Sequence, residues 1–466
     1  MSHIAVIDIG KSNAKLALVD RVTFDEVAVV TRPNIVSPGP PWPHFDLEGH
    51  WAFLLDSLRD FHASHGIDAI SITAHGASCV LLDANGNLAA PMLDYEHPGP
   101  DDLTEAYDLL RSPFAETGSA RLAGGLNIGA QLHWMFDQDP GLREKTAQIL
   151  TYPQFWAYRL TGVATTERTS LGCHTDLWNP SHNSFSPLVA ALGIAGKMAP
   201  VRMASDVLGT ILPDVARQTG LPITTPVTCG IHDSNASLLP HLMTRKTPFS
   251  VVSTGTWVIA MTIGGREPQL DEDRDTLVNV NAHGDPTPSA RFMGGREFET
   301  VIDGTFCAPT PADRKSVLDQ PVMLLPSSAP LTGPFKGRTA KWRPYEPPHG
   351  SGQRSLATSY YLAMVTAECL KLTGHIGDII VEGPFATNRD YLDMLAVATR
   401  CPVLATNNAT GTSQGAARLV AGTSQEPPQY SEHQPFETDA LLSVYAQSWT
   451  KAINDHDGMA INQSNR

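Results

Sequence analysis

No run of apolar residues in the chain approaches the ~20 that a membrane-crossing helix needs. The first residues enter a strand directly, without the basic stretch and apolar core of a secretory leader. Cysteine is scarce: the 466-residue chain has six, at 79, 173, 229, 307, 369 and 401, and none are spaced as C-x-x-C. That excludes a disulfide framework and implies reduced, mostly buried thiols in a cytoplasmic protein. Charge is also thin, at 17% of residues, and one sign prevails: 33 Lys and Arg against 48 Asp and Glu, a net charge of −15. A chain without basic faces is expected to bind neither nucleic acid nor an anionic membrane. There is no G-x-x-x-x-G-K-[ST] loop, and no G-x-G-x-x-G follows a strand, so any nucleotide must be held by another scheme. The acceptor patterns Asn235-Ala236-Ser237 and Asn408-Ala409-Thr410 carry no meaning for glycosylation in a cytoplasmic chain.

What the chain does have is 42% apolar residues and a length too great for one ordinary core, so two large domains are expected. Mid-chain lies Gly230-Ile231-His232-Asp233-Ser234-Asn235-Ala236-Ser237, flanked by two segments of one grammar. The first is the apolar strand Ile4–Ile7, then Asp8, a polar turn with Gly10, Lys11, Ser12 and Asn13, and a returning strand. The second is Ser250–Ser253, a turn with Thr254, Gly255 and Thr256, and the strand from Trp257. The interval from Gly10 to Gly255 is 255 − 10 = 245 residues, about half the chain. We read the pair as two jaws closing on a polyphosphate. Turn amides with Ser12 and Asn13 would form an anion nest, Lys11 would add positive charge, and Thr254 and Thr256 would supply hydroxyls. Gly10 and Gly255 would give these turns their backbone freedom. Asp8, ending a buried strand, could hold Mg²⁺ through water. Asp233 would sit between the jaws as a base. The alternative for the hairpins is ordinary glycine turns. For Asp233 or Ser234 it is a helix N-cap, which does not exclude catalysis.

Further along, helices are expected over 51–62, 127–137, 152–160, 212–219, 359–373 and 389–399. Proline-rich 21–50 reads as irregular chain, and 264–355 as long loops. Strand-end His75 and Glu96, the latter in the cluster Asp94-Tyr95-Glu96-His97, can exchange hydrogen bonds with polyol hydroxyls, or simply face water. Cys173-His174-Thr175-Asp176 is another polar cluster, without metal-ligand spacing.

These residues resemble the FGGY carbohydrate kinases of the actin/Hsp70/sugar-kinase superfamily. Asp8-Ile9-Gly10-Lys11-Ser12-Asn13 is similar to the first phosphate motif, and Ser253-Thr254-Gly255-Thr256-Trp257 to the second. Gly230-Ile231-His232-Asp233 is similar to the segment bearing the general base. Glu382-Gly383-Pro384-Phe385-Ala386-Thr387-Asn388 resembles the adenosine motif, Gln414-Gly415-Ala416-Ala417 the helix behind it, and Gln131-Leu132-His133-Trp134-Met135 the K-L-x-W helix. The chain departs at Gln131, Lys11 and Pro384, where Lys, Thr or Ala, and Gly are usual. The resemblance implies an α/β fold of two RNase H-like domains with an interdomain cleft: 1–240 for sugar and phosphate, 241–422 for nucleotide, and a peripheral 423–466. It implies ATP-dependent phosphorylation of a small-molecule sugar with Mg²⁺ and Asp233 as base. The His-Asp pair and the S-T-G-T-W string point to L-rhamnulose or L-fuculose kinase-like members, hence a 6-deoxyketose. Xylulose, ribulose or another polyol is the alternative acceptor, and a non-catalytic sugar or nucleotide sensor the alternative class. Gly383, Pro384 and Asn388 would line the adenosine; His75, Glu96, His174 and His232, with Asp233, would meet the sugar. A homodimer stays open.

Overall fold

The computed structural model describes residues 2–406, 411–421, 430–433 and 440–464, so Asn408-Ala409-Thr410 lies outside the described residues. The chain divides into two compact units. The first comprises Met1–Arg245, Val278–Thr287 and Thr410–Pro427; the second comprises Lys246–Leu277, Pro288–Ala409 and Pro428–Arg466.

In the first unit, strand His3–Ile9 is buried along its whole length, as expected of a near-continuous apolar run covered on both faces. It pairs antiparallel with Asn13–Asp20, Asp8 opposite Lys15, and parallel with Ala69–Ala74, Ile7 opposite Ile72. The sheet order is Val207–Thr210, Pro226–Thr228, Ala69–Ala74, His3–Ile9, Asn13–Asp20, Glu26–Pro33. Ile231–His232 also pairs with the far end of Ala69–Ala74, which brings the His-Asp stretch beside the end of the strand preceding His75. Helices Leu47–His65 and Tyr152–Thr161 lay Leu54, Leu58 and Trp156 against Ile7, Leu16 and Ile72. Burying each such side chain contributes about 1.5–3 kcal/mol.

The second unit repeats the pattern. Strand Phe249–Thr254 pairs antiparallel with Val258–Ile263 and parallel with Asp378–Glu382, Ser253 opposite Glu382. The order is Thr276–Val280, Pro286–Phe292, Val258–Ile263, Phe249–Thr254, Asp378–Glu382, Val403–Thr406, Tyr430–His433. In both sheets, therefore, the first strand has antiparallel neighbours on one side and parallel ones on the other, where the sheet ends on an antiparallel edge strand. Helix Gly352–Leu372 starts at Ser351, whose hydroxyl accepts from the Arg354 amide, and is buried on nearly every side.

Three expectations change. The segment 21–50 contains the third strand of the first sheet, Glu26–Pro33, and 264–355 contains strands Thr276–Val280 and Pro286–Phe292 and helices Gly294–Ile302 and Pro311–Asp319. The division falls after Arg245 rather than 240, and helix Thr412–Ala421 belongs to the first unit, where Ser71 Oγ donates to the Ala416 carbonyl at 2.7 Å. Helix Ala440–Ser464 is not peripheral: Tyr445 and Trp449 are buried in the second unit's core, where they donate to the Val322 and Leu324 carbonyls. Among the described residues no helix is long and apolar enough to cross a membrane.

Candidate active site

Helix Asp233–Thr244 begins where the chain leaves Ile231–His232. Gly230 makes the approach possible: its φ is +91°, and a Cβ there would stand 3.0 Å from the Ile72 carbonyl oxygen. The N-cap is His232, with no side-chain cap bond, so the expected capping role of Asp233 or Ser234 is not realised. Asp233 is the first helical residue. Its Oδ1 accepts from the Ser234 amide at 2.6 Å and lies 3.1 Å from His232 Nε2, and its side chain remains 31% exposed. A carboxylate in this setting has one oxygen fixed by neighbours and a face open to a ligand.

His232 is buried, its amide donating to Thr169 Oγ1 at 3.0 Å. Burial opposes its charge, but the Cys173 thiolate and Asp233 outweigh burial and raise it to about 9. Burial likewise opposes ionisation of Cys173, and His174 and His232 outweigh it, bringing the thiol down to about 5. Each of the two groups thus favours the charged form of the other, beside the Asp233 carboxylate. Cys173 is a site residue that the sequence did not disclose; only its adjacency to His174 hinted at it. His174 itself holds a left-handed backbone, φ +54°, beside Cys173. Asp176, in the same loop, is fully committed: Tyr107 Oη donates to it at 2.6 Å and Asn127 Nδ2 at 3.0 Å.

His75 ends the neighbouring strand. Its Nδ1 lies 2.9 Å from the Gly76 carbonyl, while its buried Nε2 has no hydrogen-bond partner. Burial pushes this imidazole below its usual value, so it is neutral at pH 7. Phe45, Tyr95 and Tyr152 surround its ring at centroid distances of 5.4, 5.2 and 4.9 Å. Glu96 is close by and mostly exposed, 3.2 Å from Lys11 Nζ.

The first turn differs in part from expectation. Ser12 and Asn13 are exposed at its tip, and Gly10 N donates to the Asn13 carbonyl at 2.9 Å. Gly10 has no left-handed backbone, and a Cβ there would meet only Asn13 O at 3.6 Å, so the turn does not require glycine. The Lys11 side chain leaves the turn and pairs with Asp94 and Glu96. Its ammonium is thus directed to two carboxylates beside the turn, leaving Ser12 and Asn13 at the tip. Asp8 is buried, and Lys15 Nζ at 3.1 Å, Thr412 Oγ1 and Ser413 Oγ at 2.9 Å all converge on its Oδ2. One carboxylate so arranged suits an ion that keeps most of its water shell, as Mg²⁺ does, rather than direct ligation by several side chains. Among the described residues no three His, Cys, Asp or Glu side chains gather as a metal cluster.

In the second unit, Gly255 and Thr256 are exposed and border a cavity of about 600 Å³ whose walls include Phe298, Phe306, Pro384 and Asn388. That volume falls in the range of small-molecule sites. Gly255, like Gly10, has no left-handed backbone, and a Cβ there would approach only Trp257 O, at 3.9 Å. Gly295, which the sequence did not flag, packs so closely on the Gly255 carbonyl that no Cβ fits. Thr254 is corrected. Its buried hydroxyl donates to the Glu382 carbonyl and accepts from the Phe385 amide at 3.1 Å, so it ties strand to turn and does not face a phosphate. Gly383 does need to be glycine, with φ +81° and the Thr254 carbonyl where a Cβ would stand. Pro384 follows as the first residue of a short 3₁₀ turn, a position that needs no amide donor. Asn388 caps helix Arg389–Thr399, accepting from Tyr391 N at 3.1 Å, and its amide donates to Ser359 Oγ at 3.0 Å. Gln131 is buried and donates to the Ala77 carbonyl at 2.6 Å, a structural use.

Residues 3–240 match the family described as FGGY family of carbohydrate kinases, N-terminal domain, and residues 246–429 match Carbohydrate kinase FGGY, C-terminal domain. The L-fuculokinase of Salmonella typhi is 28% identical over 271 residues, 56% of this chain and 57% of that protein. The chain thus aligns with somewhat over half the length of this curated relative. The crystal structure of a carbohydrate kinase from Novosphingobium aromaticivorans is 36% identical, with a TM-score of 0.89 over 98% of this chain and 99% of that one. The xylulose kinase from Rhodospirillum rubrum is 18% identical with a TM-score of 0.80 over the full length of both, and shares the fold. The chain belongs to the FGGY family of carbohydrate kinases.

Proposed function

We propose that this protein transfers the terminal phosphoryl group of ATP to a hydroxyl of a ketose, of the 6-deoxyketose type, with Asp233 as general base. The observation that carries this is the Asp233 carboxylate: it starts a helix without capping it, contacts a histidine, and keeps an open face. The similarity to L-fuculokinase supports the 6-deoxyketose class, and the likeness to xylulose kinase makes xylulose and ribulose the other acceptors to test.

In the transfer, Asp233 takes the proton of the acceptor hydroxyl as that oxygen attacks the terminal phosphorus and ADP departs. His75, Glu96, His174 and His232 hold and orient the sugar. Ser12, Asn13, Gly255 and Thr256, at the exposed tips of the two turns, receive the phosphates. Gly383, Pro384 and Asn388 border the adenosine. A magnesium ion bound through water at Asp8 would offset charge on the phosphates. Asp8 itself is kept in place by Lys15, Thr412 and Ser413.

Incubation with Mg-ATP and L-rhamnulose, L-fuculose, xylulose or ribulose, following ADP release and phosphorylated product, tests the assignment. Turnover on one of these is expected. ATP binding without turnover on any acceptor would instead identify a sensor.

A further inference from the structure

Lys11 sits in a turn that reads as a phosphate loop, yet its ammonium is spent elsewhere. It pairs with Asp94 and lies 3.2 Å from Glu96 Oε2. It also lies over two aromatic faces, 4.6 Å from the Tyr95 centroid and 5.0 Å from that of Phe45. The Lys11 and Asp94 side chains are 25% and 10% exposed, so this pair is well shielded, whereas Glu96 is 63% exposed. The same two rings flank His75, whose Nε2 is buried without a partner. An ammonium has three N–H donors; two carboxylates use two of them and leave one. Donor, carboxylates and an unpartnered imidazole nitrogen thus stand together around one aromatic pair. That is the mixture of donors and acceptors a run of hydroxyls satisfies.

The charge of the group sets the ligand's class. Lys11 is outnumbered by the Asp94 and Glu96 carboxylates it pairs with, and the Asp233 carboxylate adds to the excess of negative charge. An anionic acceptor meets repulsion there and a neutral one does not.

We propose that Lys11 determines acceptor specificity: it orients a neutral polyhydroxylated sugar, with Glu96 opposing acidic ones, and takes no part in holding ATP. This rests on the kinase function proposed above. Lys11→Met keeps the stem and removes the charge. Because it leaves Asp94 without its cation, the double variant Lys11→Met/Asp94→Asn and the exposed-site variant Glu96→Gln accompany it. KM for the best ketose, KM for gluconate as an anionic probe, and the ATP Kd by calorimetry without acceptor are measured for each.

In Lys11→Met and the double variant, the ketose KM should rise about tenfold or more, as for loss of a charge-assisted hydrogen bond, with ATP Kd within about twofold of wild type. In Glu96→Gln the preference for ketose over gluconate should narrow. A merely structural role would lower melting temperature without changing acceptor preference. Weakened ATP binding with an unchanged ketose KM, or no change in either, would overturn the assignment while leaving the kinase function standing. Wild-type protein that binds ATP but phosphorylates no acceptor would overturn both.

Discussion

His232 and Cys173 are buried together, and each keeps the other charged. The sign of the pH dependence follows. Burial works against His232, yet Cys173 and Asp233 raise its folded value to about 9 from 6.5. Its contribution to stability is complete below pH 6.5 and is lost as pH rises through about 9. Burial works against ionised Cys173 too, yet His174 and His232 lower it to about 5 from 9.0. Its contribution is complete above pH 9 and is lost as pH falls through about 5. Between pH 6.5 and 9 the two changes offset each other, and as pH falls from 6.5 to 5 only the Cys173 contribution is being lost, so stability to urea should decline over that acid range. Cys173→Ser removes the thiolate, so His232 should lose its proton at lower pH and the alkaline limb of kcat/KM should move toward neutrality. Glu167 and Asp233, which also favour the imidazolium, limit that movement. A pH–rate profile unchanged in Cys173→Ser would contradict this account. The placement of Asp233, Asp8 and His75 was legible in the sequence, because each stands where a strand ends or a helix starts. Cys173 was not, because its partnership with His232 is made by tertiary packing. The direction of Lys11 was not legible, because it is set by Asp94 and the rings of Phe45 and Tyr95.

The two hairpins carry the same outline and neither turn glycine is left-handed; the conformational demand falls instead on Gly383, at the end of strand Asp378–Glu382. Gly255 has space around it and no left-handed backbone, whereas Gly383 has φ +81° with the Thr254 carbonyl in the way of any Cβ. Gly255→Val should then leave stability within about 0.5 kcal/mol of wild type, as for other exposed positions, while raising the ATP KM about tenfold by filling space at the turn. A large fall in melting temperature with a normal ATP KM would show that the glycine serves only the hairpin. Gly383→Ala should do the reverse in stability, costing at least the ~1–2 kcal/mol of a left-handed non-glycine residue. Thr254→Val keeps shape but leaves the Phe385 amide without its acceptor, a loss of ~1–3 kcal/mol that Thr254→Ser should largely avoid. Thermal and urea unfolding of the three variants check these values. Equal stabilities for Thr254→Val and Thr254→Ser would mean that the hydroxyl is not structural. Both hairpins were readable from alternation and a glycine-bearing turn. Each sheet's third strand was not. Glu26–Pro33 alternates exposed with half-buried residues and ends in proline, so it lacks the apolar run that marks a central strand. Pro286–Phe292 carries two prolines and lies in a stretch rich in glycine and charge.

On the scale of the whole chain, the half-chain interval between Gly10 and Gly255 disclosed two units of one topology, and the order of motifs disclosed the family. It did not disclose that helix Thr412–Ala421 returns to the first unit, because that assignment rests on packing against Ser71 and Ala236. The residues proposed to meet the acceptor, including Asp233, belong to the first unit, and the cavity bordered by Gly255, Thr256 and Asn388 belongs to the second. Changes at the base should accordingly spare nucleotide affinity. Asp233→Asn tests this most directly. The amide keeps the size of the side chain, and an oxygen that can accept from the Ser234 amide, but it cannot take a proton at neutral pH. The Asp233 side chain does not cap the helix but does favour charged His232, so the melting temperature should fall modestly, and the ATP Kd should be unchanged within about twofold. General-base catalysis contributes ~10²–10⁴-fold, so kcat should fall by that range or more. Near-wild-type turnover in a folded, ATP-binding Asp233→Asn protein would contradict the assignment of Asp233 as the base.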